Sequence, residues 1–169
     1  GLNGYRVSLI HKNNPDIFKS VKKLSDLQGF TATQFHTWTD TTIFKFNNIP
    51  IAPGSDSEGL YQMLHKQRID YFPRSILELQ GDLNNHKNLN LTIDPYILIQ
   101  YASAYYFYVA KDDNQLAKDI KSGLEKALSD GSFNQIFNQF YAKVLDDLKV
   151  SQRVVFKLTN PLIPADVPI

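Results

Sequence analysis

Apolar and polar positions change their period along this chain, and the changes mark its elements. Tyr5-Arg6-Val7-Ser8-Leu9-Ile10 alternates and is rich in β-formers, which predicts a strand. Asn14-Pro15-Asp16 carries helix-start chemistry: a capping Asn, Pro at the first helical position and an acid in the first turn. Ile17, Phe18, Val21 and Leu24 fall on one face of the helix so predicted, and Asp26-Leu27-Gln28-Gly29 breaks it. Phe30 to Phe35 reads as a second strand. Thr37 to Thr41 reads as a loop that caps a helix containing Ile43, Phe44 and Phe46, which Asn47-Asn48 ends.

Ile49 to Ala52 predicts a short strand whose Pro suits an edge. Ser55-Asp56-Ser57-Glu58 fits a capping box with Ser55 at the cap, ahead of a helix whose apolar face is Leu60, Tyr61 and Leu64. Ile69 to Phe72 is a further predicted strand, followed by Pro73-Arg74-Ser75 and a short helix over residues 76–83. Leu89 to Ile93 alternates as a strand, and Tyr96 to Ala110 supplies one or two more. The last third changes character. Leu116, Ile120, Leu124 and Leu128 recur every four residues, as in an amphipathic helix. Asp130-Gly131 stops it, and Ser132 with Gln135 opens another helix, lined by Phe133, Ile136, Phe137, Phe140, Tyr141, Val144 and Leu148. Val154 to Leu158 predicts a last strand, and Pro161, Pro164 and Pro168 an extended tail.

Strands alternating with helices over the first hundred residues predict an α/β fold with a mostly parallel sheet flanked by helices. The two consecutive helices after them predict a second packing unit. Composition agrees: with 43% hydrophobic and 21% charged residues, the chain can build a globular core. A net charge of +1 gives no footprint for nucleic acid or anionic lipid, and Lys19, Lys22 and Lys23 are spaced as a solvated helix face. With no cysteine, disulfides, thiolate metal sites and cysteine nucleophiles are excluded. The stretch from Pro95 to Ala110 is too short and too polar to span a bilayer, and Gly1-Leu2-Asn3-Gly4 lacks the features of a signal peptide.

Three segments, in this order, carry a resemblance. Leu24-Ser-Asp-Leu-Gln-Gly-Phe-Thr31 resembles the entry to the second lobe of type 2 periplasmic solute-binding proteins. Arg68-Ile-Asp-Tyr-Phe-Pro-Arg74 is similar to the strand near the end of that lobe. Tyr108-Val-Ala-Lys-Asp-Asp-Asn-Gln-Leu116, with the Ser129-Asp-Gly-Ser-Phe133 turn, looks like the family's return strand and closing pair of helices. Within the family (extracellular solute-binding protein family 3), Trp38 to Thr41 and Tyr71 to Arg74 look closest to polar amino-acid receptors. The resemblance implies a second-lobe domain over residues 1–108, closing helices of the other lobe over 109–150, and a strand and tail over 151–169. It also implies that most of a first lobe is missing, so that this chain owns one wall of a ligand cleft. One departure is Thr33-Gln34-Phe35-His36, where that branch is usually glycine-rich; this bulk could narrow or close the pocket.

The resemblance places a ligand carboxylate near Thr37, Trp38, Thr39, Asp40 and Thr41, where helix N-terminal N–H groups would cradle it. An ordinary N-cap by Thr39 serves the same residues equally well. Arg74, after a strand end, is a candidate for gripping a carboxylate through two hydrogen bonds, or else a surface arginine. Trp38 could stack on a ligand or anchor its loop, and Phe72 is either a ligand contact or core, since it and Tyr71 point to opposite faces. Asp70 reads as a structural strand-end residue. His11, His36, His65 and His86 lack metal-ligand spacing, and neither a nucleophile elbow nor a phosphate-binding glycine loop is present. The resulting expectation is a binding protein, without catalysis, cofactor or metal. It would take a small polar solute, such as an amino acid, in the periplasm, for an ABC transporter or a membrane sensor, closing about hinges near Gly4–Tyr5 and Tyr108–Lys111. The alternative expectation is a truncated module acting through protein contacts, with self-association through the incomplete lobe.

Overall fold

The computed structural model describes residues 2–103 and 105–164. It forms two compact units, Gly1–Ala104 with Lys149–Ile169, and Tyr105–Leu148. The first unit is built around β1 (Tyr5–His11), whose last five residues are all buried. On one side lies β2 (Tyr71–Ser75); on the other lie β3 (Leu91–Ile93) and β4 (Ile97–Tyr101), with β5 (Val154–Leu158) beyond β4. β2, β3 and β4 all pair antiparallel to β1, whereas β4 and β5 are parallel. Residues 31–36 add another row: Ala32 bridges Ile51 and Tyr71 in parallel, and Phe35 bridges Gly54. Among the described residues every strand except β1 therefore runs in one direction. The expected α/β fold with a mostly parallel sheet flanked by helices holds, with β1 as its reversed member.

Both faces of this sheet are covered, which explains why alternation alone did not separate core from surface. Tyr71 and Phe72 point to opposite faces, yet both are fully buried. Tyr71 joins Phe18, Ile43, Phe44 and Ile10 in the main core cluster, where Phe18 meets Phe30 and Tyr71 edge-on at 5.2 and 5.1 Å. Phe72 instead meets Tyr61 edge-on at 5.1 Å, under the helix α2 (Ser57–His65). Between β3 and β4 the chain turns on Asp94, whose carboxylate accepts from the N–H groups of Tyr96 (2.9 Å) and Ile97 (3.0 Å). Arg153 reaches in from the start of β5 and donates Nη1 to the carbonyls of Asp94 (2.5 Å) and Ile97 (3.0 Å). Burial raises the Asp94 pKa, against the pull of those two N–H groups and the Arg153 charge.

Local readings needed several corrections. The helix expected after Pro15 is a run of tight turns closed by i→i+3 bonds such as Lys19 N to Asp16 O (3.0 Å) and Val21 N to Phe18 O (3.0 Å). Burial of Phe18 and Val21 sets its path, overriding local helix propensity. Asp26 to Gly29, read as the breaker, belongs to a 3-10 helix over Leu24–Gly29. The helix α1 (Thr39–Phe46) has Trp38 at its N-cap with no side-chain capping bond, so Thr39 is its first residue and not its cap. The cap of α2 is Asp56, which accepts from Gly59 N at 3.0 Å, one residue later than Ser55. β2 runs on through Pro73 and Arg74 to Ser75, and α3 (Leu79–Asn85) starts later than expected. The strand expected over residues 96–110 ends at Tyr101, and residues 105–110 hold no regular element. Pro161 begins a turn, and Pro168 lies outside the described residues.

The second unit is a helical hairpin of α4 (Asn114–Ser129) and α5 (Ser132–Asp147). Asp113 caps α4 by accepting from Leu116 N at 3.0 Å. Gly131, at φ 83°, makes the left-handed turn into α5, so Gly131 and not Ser132 stands at that cap. None of the residues of either helix is buried, and Leu128, Ile136 and Phe140 are each more than half exposed.

Among the described glycines Gly4 has the least room: a Cβ there would lie 1.8 Å from the Tyr101 carbonyl oxygen. Because backbone must move to admit a methyl group, Gly4→Ala should cost roughly 1–3 kcal/mol of unfolding free energy in urea titrations. Gly29→Ala, where nothing lies within 4 Å, should stay within about 0.5 kcal/mol.

Candidate functional site

Residues 31–36 and β2 are parallel neighbours joined at one end only. At that end Asp70 N donates to Thr31 O (2.9 Å), Asp70 Oδ2 accepts from Thr31 N (2.6 Å), and Thr33 N donates to Tyr71 O (3.0 Å). Asp70 is thus the structural pin that its strand-end position suggested. Toward the carboxyl ends, backbone pairing of residues 31–36 continues only on the far side, through Gly54 N to Gln34 O (3.0 Å) and His36 N to Gly54 O (2.9 Å). On the β2 side the Pro73 carbonyl is taken by a side chain, the Gln34 amide, which donates Nε2 at 2.7 Å. There a cleft of about 120 Å3 opens, lined by Arg6, Gln34, Trp38, Asp40, Pro73, Arg74, Ser75 and Glu78. It lies at the carboxyl ends of parallel strands, the edge at which open α/β sheets bind ligands.

Two part-buried ion pairs form its walls. On one wall Arg6, from β1, donates Nε to Asp40 Oδ1 at 2.7 Å and Nη1 to Asn3 O at 2.6 Å. The Tyr101 hydroxyl, at the end of β4, donates to the same Asp40 oxygen. Burial opposes the Asp40 charge, but the Arg6 hydrogen bond and charge, with the Tyr101 bond, hold its carboxyl below the usual range. Burial likewise works against the Arg6 charge and is outweighed by Tyr101 and Asp40, so its pKa rises. The opposite wall is Arg74, from β2. Its Nε donates to Asp82 Oδ2 at 2.7 Å and its Nη2 reaches Glu78 Oε2 at 3.1 Å. Its guanidinium lies 5.1 Å from the ring centres of both Trp38 and Phe72. Among the described residues Nη1 of Arg74 has no partner. Behind it, His86 stacks on Tyr61 at 3.7 Å and bonds Glu58 Oε2 at 3.0 Å and Asp82 O at 2.7 Å.

The structure brings Trp38, Asp40 and Arg74 together in the cleft. Asp40 is engaged with Arg6 and Tyr101. Thr41 is buried and donates Oγ1 to Phe35 O at 2.8 Å, while Thr37 and Thr39 are exposed and do not line the cleft. Phe72 lies beneath Arg74 as core. The rings of Phe35 and His36 lie 4.8 Å apart, tilted by 34°, and neither residue lines the cleft. Sequence reasoning missed Arg6, Gln34, Ser75, Glu78 and Asp82. Arg74, Glu78 and Asp82 lie close in sequence, but the turn between β2 and α3, which no residue spacing announces, brings them together. Arg6 and Asp40, 34 positions apart, offer no sign either. No cluster of three or more His, Cys, Asp or Glu side chains suited to a metal is found among the described residues.

The Asp40 pair makes a checkable prediction. A carboxyl with a lowered native pKa adds stability above its unfolded value, and that stability is lost as pH falls through the native one. Asp40→Asn should cost about 3–5 kcal/mol at pH 7 by denaturant titration. The gap between wild type and variant should shrink below about pH 4, where the wild type loses the contribution.

No protein-family model matches the sequence, and no curated protein matches it either. Solved structures do. The probable amino-acid ABC transporter extracellular-binding protein ytmK from Bacillus subtilis superposes with a TM-score of 0.56 at 15% identity, over 82% of this chain and 61% of its own. The Bacillus subtilis protein YCKB gives 0.53 at 21% identity, over 92% and 63%. An ancestral arginine-binding protein bound to arginine gives 0.51 at 18% identity, over 81% and 60%. The chain spans about three fifths of the length of these structures and shares their fold over that stretch.

Proposed function

We propose that this chain contributes one wall of a binding site for a small polar solute carrying a carboxylate, an amino acid or a related acid, held reversibly and without chemistry. The observation that carries the reading is the Arg74 guanidinium. Asp82, Glu78 and two aromatic rings fix its plane, and among the described residues its Nη1 has no partner, in a residue that lines a cleft at the carboxyl ends of parallel strands. A guanidinium so fixed loses little freedom on gripping a carboxylate. The fold supports the same reading, since one of the similar structures is an arginine-binding protein bound to arginine. Delivery to an ABC transporter or a membrane sensor, and a periplasmic or extracellular location, belong to this proposal. So does closure of a second lobe about hinges near Gly4–Tyr5 and Tyr108–Lys111.

Calorimetric titration of the chain with L-arginine, L-glutamine and L-alanine tests the reading. At least one should bind, and Arg74→Ala should weaken it tenfold or more, about 1.4 kcal/mol. Unchanged affinity in Arg74→Ala would remove Arg74 from the site.

A second reading, association through protein contacts, rests on the exposed apolar positions of α4 and α5, among them Leu128, Ile136 and Phe140. It expects a mass above that of the monomer in light scattering at high concentration, reduced by Ile136→Glu. A constant monomer mass would count against it.

A further inference from the structure

His86 closes α3 and bridges to α2, and both of its ring nitrogens face oxygens. Nδ1 lies 2.7 Å from the Asp82 carbonyl, and Nε2 lies 3.0 Å from Glu58 Oε2 in the first turn of α2. A carbonyl oxygen only accepts, and so does a carboxylate, the form in which carboxyls stand above about pH 5. A neutral imidazole has one N–H, so at one of these two contacts a nitrogen lone pair would meet an oxygen lone pair. Only the doubly protonated ring donates to both. Its face lies on Tyr61 of α2, with ring centres 3.7 Å apart and planes at 18°, a surface that also suits a cation.

The groups around the ring leave this requirement in place. On α2 it faces Glu58 and Tyr61, and burial pushes the Tyr61 hydroxyl up, so that group stays neutral wherever histidine titrates. On α3 it faces Asp82, whose carboxylate is held by Arg74 of β2, as is that of Glu78. β3, which packs on α3, carries no charge in Leu91–Ile93. We propose that His86 is a proton-operated latch: its imidazolium ties the first turn of α2 to the end of α3, and loss of the Nε2 proton as pH rises releases α2. The Nδ1 proton stays on the Asp82 carbonyl, while the Nε2 proton goes to solvent and leaves a lone pair facing the Glu58 carboxylate. The link is therefore present at low pH and lost as pH rises. Because α3 also carries Asp82, the acid that holds Arg74, the latch secures the backing of one cleft wall, whatever the cleft holds. His65, at the other end of α2, has the opposite chemistry: its Nδ1 accepts from Asn90 N at 3.2 Å and so must carry no proton.

Ring-nitrogen NMR of the isotope-labelled chain between about pH 5 and 8 reads both histidines at once. On losing its second proton, His86 should keep the remaining one on Nδ1, whereas neutral His65 should carry its proton on Nε2. A neutral His86 protonated on Nε2 would overturn the proposal, since the bond to Glu58 would then survive the titration; this result needs no variant. Glu58→Gln, at an exposed position, removes the carboxylate and leaves the His65 contact alone. At a given pH the ratio of doubly to singly protonated His86 should fall about threefold or more in that variant, and the ratio for His65 should stay the same. The variant should melt about 1–4 °C below wild type at the acid end of the range, with the gap narrowing toward pH 8. Loss of a first-turn charge costs the same across this range, so only the narrowing reports the latch. An unchanged His86 ratio, or a gap that stays constant with pH, would overturn it.

Discussion

The carboxylate of Asp40 ties together the parts of the molecule that make the cleft. It sits in the first turn of α1, accepts from Arg6 at the start of β1 and from Tyr101 at the end of β4, and so joins three elements far apart in sequence. Burying a charge this deeply is unfavourable unless it is paired and hydrogen-bonded, and here both conditions are met. Its consequence is positional. With α1 fixed to β1 and β4, residues 31–36 must leave the sheet toward that helix, and the Pro73 carbonyl on β2 is left to the Gln34 side chain. The cleft follows from that parting of strands.

The two walls of the cleft solve the same problem with different geometry. Arg6 and Asp40 form a hub whose donors and acceptors turn inward on structure, reaching Asn3 and Tyr101. Arg74 is held by Asp82 and Glu78, flanked by Trp38 and Phe72, and lines the cleft. Arg6 stabilises the buried Asp40, whereas Arg74 pairs with the half-buried Asp82 and the exposed Glu78, and among the described residues its Nη1 has no partner.

Much of the fold was legible in the sequence because it depends on local chemistry. The alternation in Tyr5–Ile10, the Asp130-Gly131 stop and the four-residue repeat of Leu116 to Leu128 each specify an element within a few residues. Where reading failed, a distant contact had decided the outcome. The segment after Pro15 carries every local helix signal, yet Phe18 must reach Phe30 and Tyr71, and the chain takes tight turns to place it there. Strand direction was legible only in the aggregate, since burial on both faces of β1 hides its reversal. The site was half legible. Trp38, Asp40 and Arg74 stood out by residue type beside a helix start or a strand end. Gln34 and Arg6 did not, because each takes its meaning from a partner across the sheet: Pro73 is 39 positions from Gln34, and Asp40 is 34 from Arg6.

In the proposed site, the parting of residues 31–36 from β2 opens a solute cleft with Arg74 as its carboxylate anchor. A crystal structure of this chain grown with a saturating amino acid tests it most directly. The account predicts an ordered carboxylate within hydrogen-bond distance of Arg74 Nη1, with the Arg6–Asp40 and Arg74–Asp82 pairs unchanged. An amino acid ordered elsewhere, or Arg74 Nη1 bonded to protein across a closed cleft, would contradict it.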